Sequence, residues 1–218
     1  YGFDAFAQFL ASQGYVVVQP NFRGSSGFGG DFTLAGRGQW GLRMQDDISD
    51  AVKHMVDTGQ ADPKRVCIVG GSYGGYAALA GVTLTPDLYR CAVSIAGVSD
   101  LLDILSSERR DSGTNSNVYY YWRDSIGDPD ADRTALAAAS PRKMAAAVKV
   151  PVLLIHGEKD ETVLVRQSVF MQDALKAAGK QTRLIRLPKA GHSWPAWERE
   201  DQLTLFRETA AFLKQNLN

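Results

Sequence analysis

The run Gly70-Gly71-Ser72-Tyr73-Gly74-Gly75 sets a serine between two glycine pairs. It follows the apolar run at residues 65–70 (RVCIVG) and precedes the small-residue stretch 73–83. That context predicts a strand-to-helix turn that lifts a nucleophilic hydroxyl above a sheet. Glycine two positions before and two after the serine is expected because a side chain there would collide with a neighbouring strand or helix. The N–H of Tyr73 would then point at a developing oxyanion, and the helix N-terminus would add a favourable dipole. The competing reading is a glycine-rich turn carrying an incidental serine.

A serine hydroxyl is a weak nucleophile at its free pKa, so a base oriented by a carboxylate should follow. Of three histidines, His54 lies in an amphipathic helical pattern and reads as a helix residue. His156 closes a strand before Gly157 and reads as a structural turn residue rather than the base. His192, in Lys189-Ala190-Gly191-His192-Ser193, follows the last strand, and ligands of open α/β sheets gather at such ends. It is the preferred base. For the carboxylate, Glu158, Asp160 and Glu161 are all candidates. Asp160 is favoured because its short side chain suits a fixed loop; the two glutamates read as solvated charges. The order Ser72, Asp160, His192 is that of α/β-hydrolases.

These residues need a scaffold. Five short apolar runs, at residues 15–19, 65–70, 91–96, 150–156 and 183–187, read as strands, the last as an edge strand because arginine alternates with leucine or isoleucine. Helical patterns cover residues 3–13, 43–58, 73–83, 165–178 and 198–215, several of them stopped by glycine. The last of these carries a stripe of Leu203, Phe206, Ala210 and Leu213. Alternating strands and helices predict an α/β fold, a mostly parallel sheet with helices on both faces. Residues 101–149 break the rhythm. They read as short helices inserted between two strands, a cap-like segment that shapes a binding site.

The chain has 218 residues with 24 basic and 24 acidic side chains. The length fits one domain spanning residues 1–218. Zero net charge argues against nucleic acid as a partner. No apolar run approaches the ~18–20 residues of a membrane span, so no membrane partner is expected. The first residues form no signal peptide, and the chain does not begin with Met, which suggests a start inside a longer protein. Cys67 and Cys91 sit in apolar runs and read as buried thiols of a reducing, cytoplasmic compartment, with a disulfide as the alternative. Histidines and cysteines are too few and scattered for a zinc site, and the glycine run lacks the ending of a phosphate loop. No metal and no cofactor is expected.

The chain resembles the catalytic domain of the prolyl oligopeptidase family of serine peptidases, particularly its acylaminoacyl-peptidase and dipeptidyl-peptidase branches. The resemblance rests on residues 14–29 (GYVVVQPNFRGSSGFG), on the elbow through Tyr76, on His156-Gly-Glu-Lys-Asp160 with Val163, and on Gly191-His192. It implies an α/β-hydrolase fold, with Ser72 as nucleophile, Asp160 as orienter, His192 as base and the Tyr73 N–H in the oxyanion hole. It also implies that Arg23 borders the site, and that Tyr121 and Trp122 line the pocket for the residue before the scissile bond. The activity implied is hydrolysis of short or N-blocked peptides through an acyl-enzyme. A carboxylesterase of the same fold and a silent fragment or assembly module are the alternatives. Peptides are the expected partners, with an upstream propeller or a homo-oligomer in the natural protein. Members of the family also place a central strand ahead of the counterpart of Tyr1, carrying the other oxyanion donor. Its loss would leave a gap of ~10 Å between the strands at residues 15–19 and 65–70. Either the chain is an N-terminally truncated piece of a longer protein, or the first strand slides across to pair with the second.

Overall fold

Four of the five apolar runs become strands: β1 (Cys67–Gly71), β2 (Cys91–Ile95), β3 (Val152–Gly157) and β4 (Thr182–Leu187). The computed structural model, which describes residues 2–217, pairs them in parallel in the order β1-β2-β3-β4. Every residue of β2 and β3 is buried, so both faces of the sheet are covered, as a parallel sheet requires. The two-residue period of a strand sorts these residues between the layers. Val93, Ile95, Leu153 and Ile155 pack with Leu205 and Leu213 on one face. Ala92, Val152 and Leu154 pack with Leu79, Met171 and Leu175 on the other.

The first layer holds α1 (Ala5–Ser12) and α9 (Arg199–Leu217). Asp4 caps α1 by accepting from the Ala7 N–H at 2.9 Å, and Phe6 and Phe9 meet Phe206 of α9 edge-on. The buried stripe of α9 is Leu205, Thr209, Leu213 and Leu217, whereas Leu203 is exposed. Of the expected stripe, Leu213 is buried and Phe206 packs against the core, and only Leu203 falls outside the packed face. Apolar residues lie on two sides of this helix, and its contact with the sheet selects between them.

Between α1 and the first strand run α2 (Gly30–Leu34) and α3 (Arg43–Asp57). The opposite face is built by α4 (Tyr73–Leu84) and α8 (Arg166–Ala177). Residues 101–149 form the expected short helices: α5 (Leu101–Ser112), α6 (Asn117–Ile126), α7 (Arg133–Ala138) and a 3-10 turn at Pro141–Ala147. In β4 the arginines face outward, Arg183 to Glu208 and Arg186 to Glu158, which suits its place at the sheet edge.

Two expectations are overturned here. Residues 15–19 are not a strand, and they do not slide across to β1. Tyr15 and Val17 pack against the core, while Val16 and Val18 are 64% and 43% exposed. The run has the side-chain pattern of a strand, but among the described residues no strand pairs with it, and β propensity without a partner makes no ladder. Among the described residues β1 pairs only with β2, and it is half-buried along its length. The second correction concerns the cysteines. Cys67 and Cys91 occupy facing register positions on β1 and β2, with Cα atoms 4.7 Å apart, and they form a disulfide. A separation of 24 residues gives no hint of this, because strand register alone brings the pair together. With both cysteines in a disulfide, neither is a free thiol that would point to a reducing compartment. Among the described residues no helix is long and apolar enough to cross a membrane.

Candidate active site

β1 ends at Gly71 and delivers Ser72 at φ 56° and ψ −117°, a positive φ that a non-glycine residue adopts only under constraint. The constraint comes from both sides. The Ser72 N–H donates to the Ile95 carbonyl at 2.9 Å and continues the β1–β2 ladder, while the Ser72 carbonyl accepts from the Tyr76 N–H at 3.0 Å and starts α4. Tyr73 is the first residue of that helix, so its N–H has no partner inside the helix.

The glycines of the elbow divide differently from expectation. A Cβ on Gly70 would run into the backbone of Gly74, whereas one on Gly74 would meet nothing within 4 Å. Gly75 is tight instead: a Cβ there would lie 2.7 Å from Gly97 Cα, in the turn after β2. Only the leading glycine of the pair two before and two after Ser72 is therefore sterically required. Gly70→Ala is expected to destabilise by about 1–3 kcal/mol through overpacking. Gly74→Ala should be neutral or slightly stabilising, since alanine is the better helix former. Thermal denaturation of the two variants measures the difference.

β3 carries the acid. Asp160 lies three residues beyond its end, and its carboxylate is fully engaged. Oδ1 accepts the N–H groups of Thr162 at 2.9 Å and Val163 at 2.8 Å, and Oδ2 accepts from His192 Nδ1 at 2.8 Å. Oδ2 also lies 3.2 Å from Nε2 of the buried His156. Burial alone pushes the Asp160 carboxyl up, but the hydrogen bonds from His156, His192 and the Val163 N–H outweigh it and hold the group well below the usual range.

β4 carries the base. From its end the chain must return across the sheet, about three strand spacings or ~14 Å, to reach Ser72 beyond β1. The return is pinned at several points. The Glu158 N–H donates to the Leu187 carbonyl at 2.9 Å, and the Lys159 N–H donates to the Ala190 carbonyl at 3.0 Å. A Cβ on Gly157 would strike that same Ala190 carbonyl, so the two loops cross only over a glycine. Further on, the Trp194 ring lies against Gly71 and Trp197 Nε1 donates to the Gly191 carbonyl at 2.9 Å. The result places His192 Nε2 2.9 Å from Ser72 Oγ. Ser72, His192 and Asp160 thus form one continuous hydrogen-bonded chain.

The remaining candidates settle variously. Glu158 is exposed and paired with Arg186, Glu161 is exposed, and so is His54. Arg23 clamps Asp47 of α3 through Nε at 2.7 Å and through a terminal guanidinium nitrogen at 2.6 Å, and its own N–H adds a third bond at 2.9 Å. That clamp fixes the loop carrying Phe22, whose ring lies 5.0 Å from Tyr73. Trp40 packs edge-on against Tyr73 at 4.6 Å and meets Trp122 at 6.4 Å. Trp122 therefore joins an aromatic wall beside the residue that follows the serine. Tyr121 is 68% exposed and lines an open groove with Arg37, Tyr120 and Arg123. The roles of Phe22, Trp40, Asp47 and Trp194 go unread in the sequence because nothing in their spacing links them to residue 72. For His156, the i,i+4 spacing to Asp160 is a signal that is legible only once the strand end is known. Among the described residues no group of three or more His, Cys, Asp or Glu side chains is placed to hold a metal ion.

The chain is similar in sequence and in fold to known proteins. Dipeptidyl aminopeptidase BIII of Pseudoxanthomonas mexicana is 39% identical over 203 residues, 89% of this chain and 28% of that protein. Among solved structures, Pyrococcus horikoshii acylaminoacyl peptidase superposes with a TM-score of 0.82 at 28% identity, covering 90% of this chain and 32% of that one. A puromycin-hydrolyzing peptidase of Mycobacterium tuberculosis gives a TM-score of 0.82 at 29% identity, over 91% of this chain and 29% of that one. The chain thus spans about a third or less of the length of the relatives it matches. A family model described as the prolyl oligopeptidase family matches residues 1–218, and the chain belongs to that family.

Proposed function

We propose that this chain carries the catalytic machinery of a serine peptidase acting on short or N-blocked peptides. The observation that carries the reading is the unbroken relay from Ser72 Oγ to His192 Nε2 at 2.9 Å and from His192 Nδ1 to Asp160 Oδ2 at 2.8 Å. An ionised Asp160 can only accept, so Nδ1 of His192 carries the proton and Nε2 is left as the acceptor that a general base needs. The Ser72 hydroxyl donates to Nε2 and attacks the scissile carbonyl as that proton leaves. The resulting imidazolium is stabilised by Asp160, and it returns the proton to the departing amine. Water then repeats the sequence on the acyl-enzyme. The Tyr73 N–H faces the developing oxyanion, a donor of the kind worth about 3 kcal/mol to the transition state.

The substrate class rests on the relatives, which include a dipeptidyl aminopeptidase and an acylaminoacyl peptidase. Trp122, with Trp40 and Tyr73, forms the aromatic wall of the subsite for the residue before the scissile bond. Arg23 acts there through the loop it clamps. The test is labelling by a fluorophosphonate probe, with turnover of an aminoacyl anilide and of an acyl ester measured in parallel. Ser72-dependent labelling with anilide turnover supports the peptidase. Ester turnover alone would make the chain an esterase, and a folded protein that does not label is a silent module.

A further inference from the structure

His156 is fully buried beside the relay, with 0% of its surface accessible, and the mechanism above does not use it. Its hydrogen-bonding environment determines its tautomer. Nε2 faces the Val163 carbonyl at 2.7 Å and Asp160 Oδ2 at 3.2 Å, both of them acceptors, so Nε2 must carry the proton. Nδ1 lies 2.7 Å from the Ser168 hydroxyl on α8, which donates to it. From this geometry we infer that His156 is a positioning residue for the relay. Its Nε2–H forks between the backbone of the acid loop and the same carboxylate oxygen that receives His192, and so fixes where Asp160 points and how strongly it draws on His192.

The physical consequence follows from sharing one oxygen. Each donor to Oδ2 withdraws negative charge from it, so the bond from His156 weakens the hold of Asp160 on a protonated His192. Removing that donor should strengthen the hold and make His192 a stronger base. The other charged groups around His156 are engaged or exposed. Arg186, its register partner on β4, pairs with Glu158. Arg166 of α8 pairs with Asp103, and Lys159 and Glu161 point outward on the acid loop.

This inference rests on the peptidase reading, so the experiment separates the two. The pH dependence of fluorophosphonate labelling and of kcat/KM is measured for the whole chain and for three variants. His156→Phe keeps the ring volume and removes the donor; kcat should fall about 10–100-fold with KM little changed, as expected when a reacting group is misplaced by a fraction of an ångström. The acid limb of its profile should move to higher pH. His156→Gln keeps an N–H at the position of Nε2 and should restore the acid limb. Ser168→Ala leaves Nδ1 without its donor and should move the limb in the same direction as His156→Phe, but less. Labelling by the unaltered chain with the same acid limb in all three variants would reduce His156 to a packing residue. No labelling of the unaltered chain would instead defeat the peptidase reading. Because His156→Phe could fail to fold, the imidazole nitrogens of the unaltered protein supply an independent measurement. Nitrogen-15 spectra should show His156 as the neutral Nε2–H tautomer, and an Nδ1–H tautomer would overturn the inference.

Discussion

Replacing Ser72 by alanine is expected to abolish fluorophosphonate labelling and to lower kcat by about a millionfold, and His192→Ala should cost about the same. The double variant should be no worse than either single one. Ser72 Oγ and His192 Nε2 share a proton, and neither contributes once the other is gone. Turnover of an aminoacyl anilide by the three variants checks this, and additive losses would show that the two residues do not work as a unit. A companion measurement follows from the backbone. Ser72 sits at φ 56°, a conformation that costs roughly 1–3 kcal/mol for a residue with a Cβ. Ser72→Gly should therefore raise the melting temperature while losing as much activity as Ser72→Ala, and Ser72→Ala, which keeps the Cβ, should leave the melting temperature nearly unchanged. The difference between the two variants isolates the strain held at the nucleophile.

Asp160→Asn should reduce kcat by about 10⁴-fold with little change in the overall structure. The asparagine oxygen can still receive the Thr162 and Val163 N–H groups, which places its NH₂ opposite His192 Nδ1. Nδ1 must then accept, the proton moves to Nε2, and His192 can no longer take one from Ser72. The same substitution has a pH signature in stability. Burial pushes the Asp160 carboxyl up, but the donors from His156, His192 and Val163 pull it down further, so its folded pKa lies below the unfolded value of about 3.9. The folded state then binds fewer protons than the unfolded one in acid. This contribution is fully present above about pH 4 and is lost as the pH falls through the folded pKa. Asparagine has no such contribution, so the stability gap between the parent and Asp160→Asn should narrow as the pH drops below about 4. Urea unfolding across that range measures it, and a gap independent of pH would mean that the carboxyl is not depressed.

What could be read from the sequence was whatever depends on local pattern. Ser72, Asp160 and His192 each follow an apolar run that became a strand, and each sits at the end where a parallel sheet opens to solvent. Three residues drawn from strand ends in a known order can be matched without knowing any distance. The features that escaped depend on neighbours. Residues 15–19 carry the side chains of a strand but lack a partner, and Cys67 meets Cys91 only through register. Leu203 carries the apolar type of a core residue but lies on the open side of α9, while Phe206 and Leu213 of the same pattern pack inward. The reason for the elbow glycines was half right, since Gly70 is confined by the backbone of Gly74 while Gly74 itself has room. His156 was read as structural, and only the structure shows that it donates to the acid.

The return of the chain from β4 to β1 has one further consequence. The three relay residues hang from three different strands, and the Ser72–His192 contact closes a loop of 120 residues. A slip of one residue anywhere in the sheet would move one partner by about 3.3 Å, far more than a hydrogen bond tolerates. Reactivity at Ser72 therefore works as a vernier on strand register. A substitution deep in β4 or under α9 that shifts the pairing would silence a serine it never touches, while leaving the helical content of the protein intact.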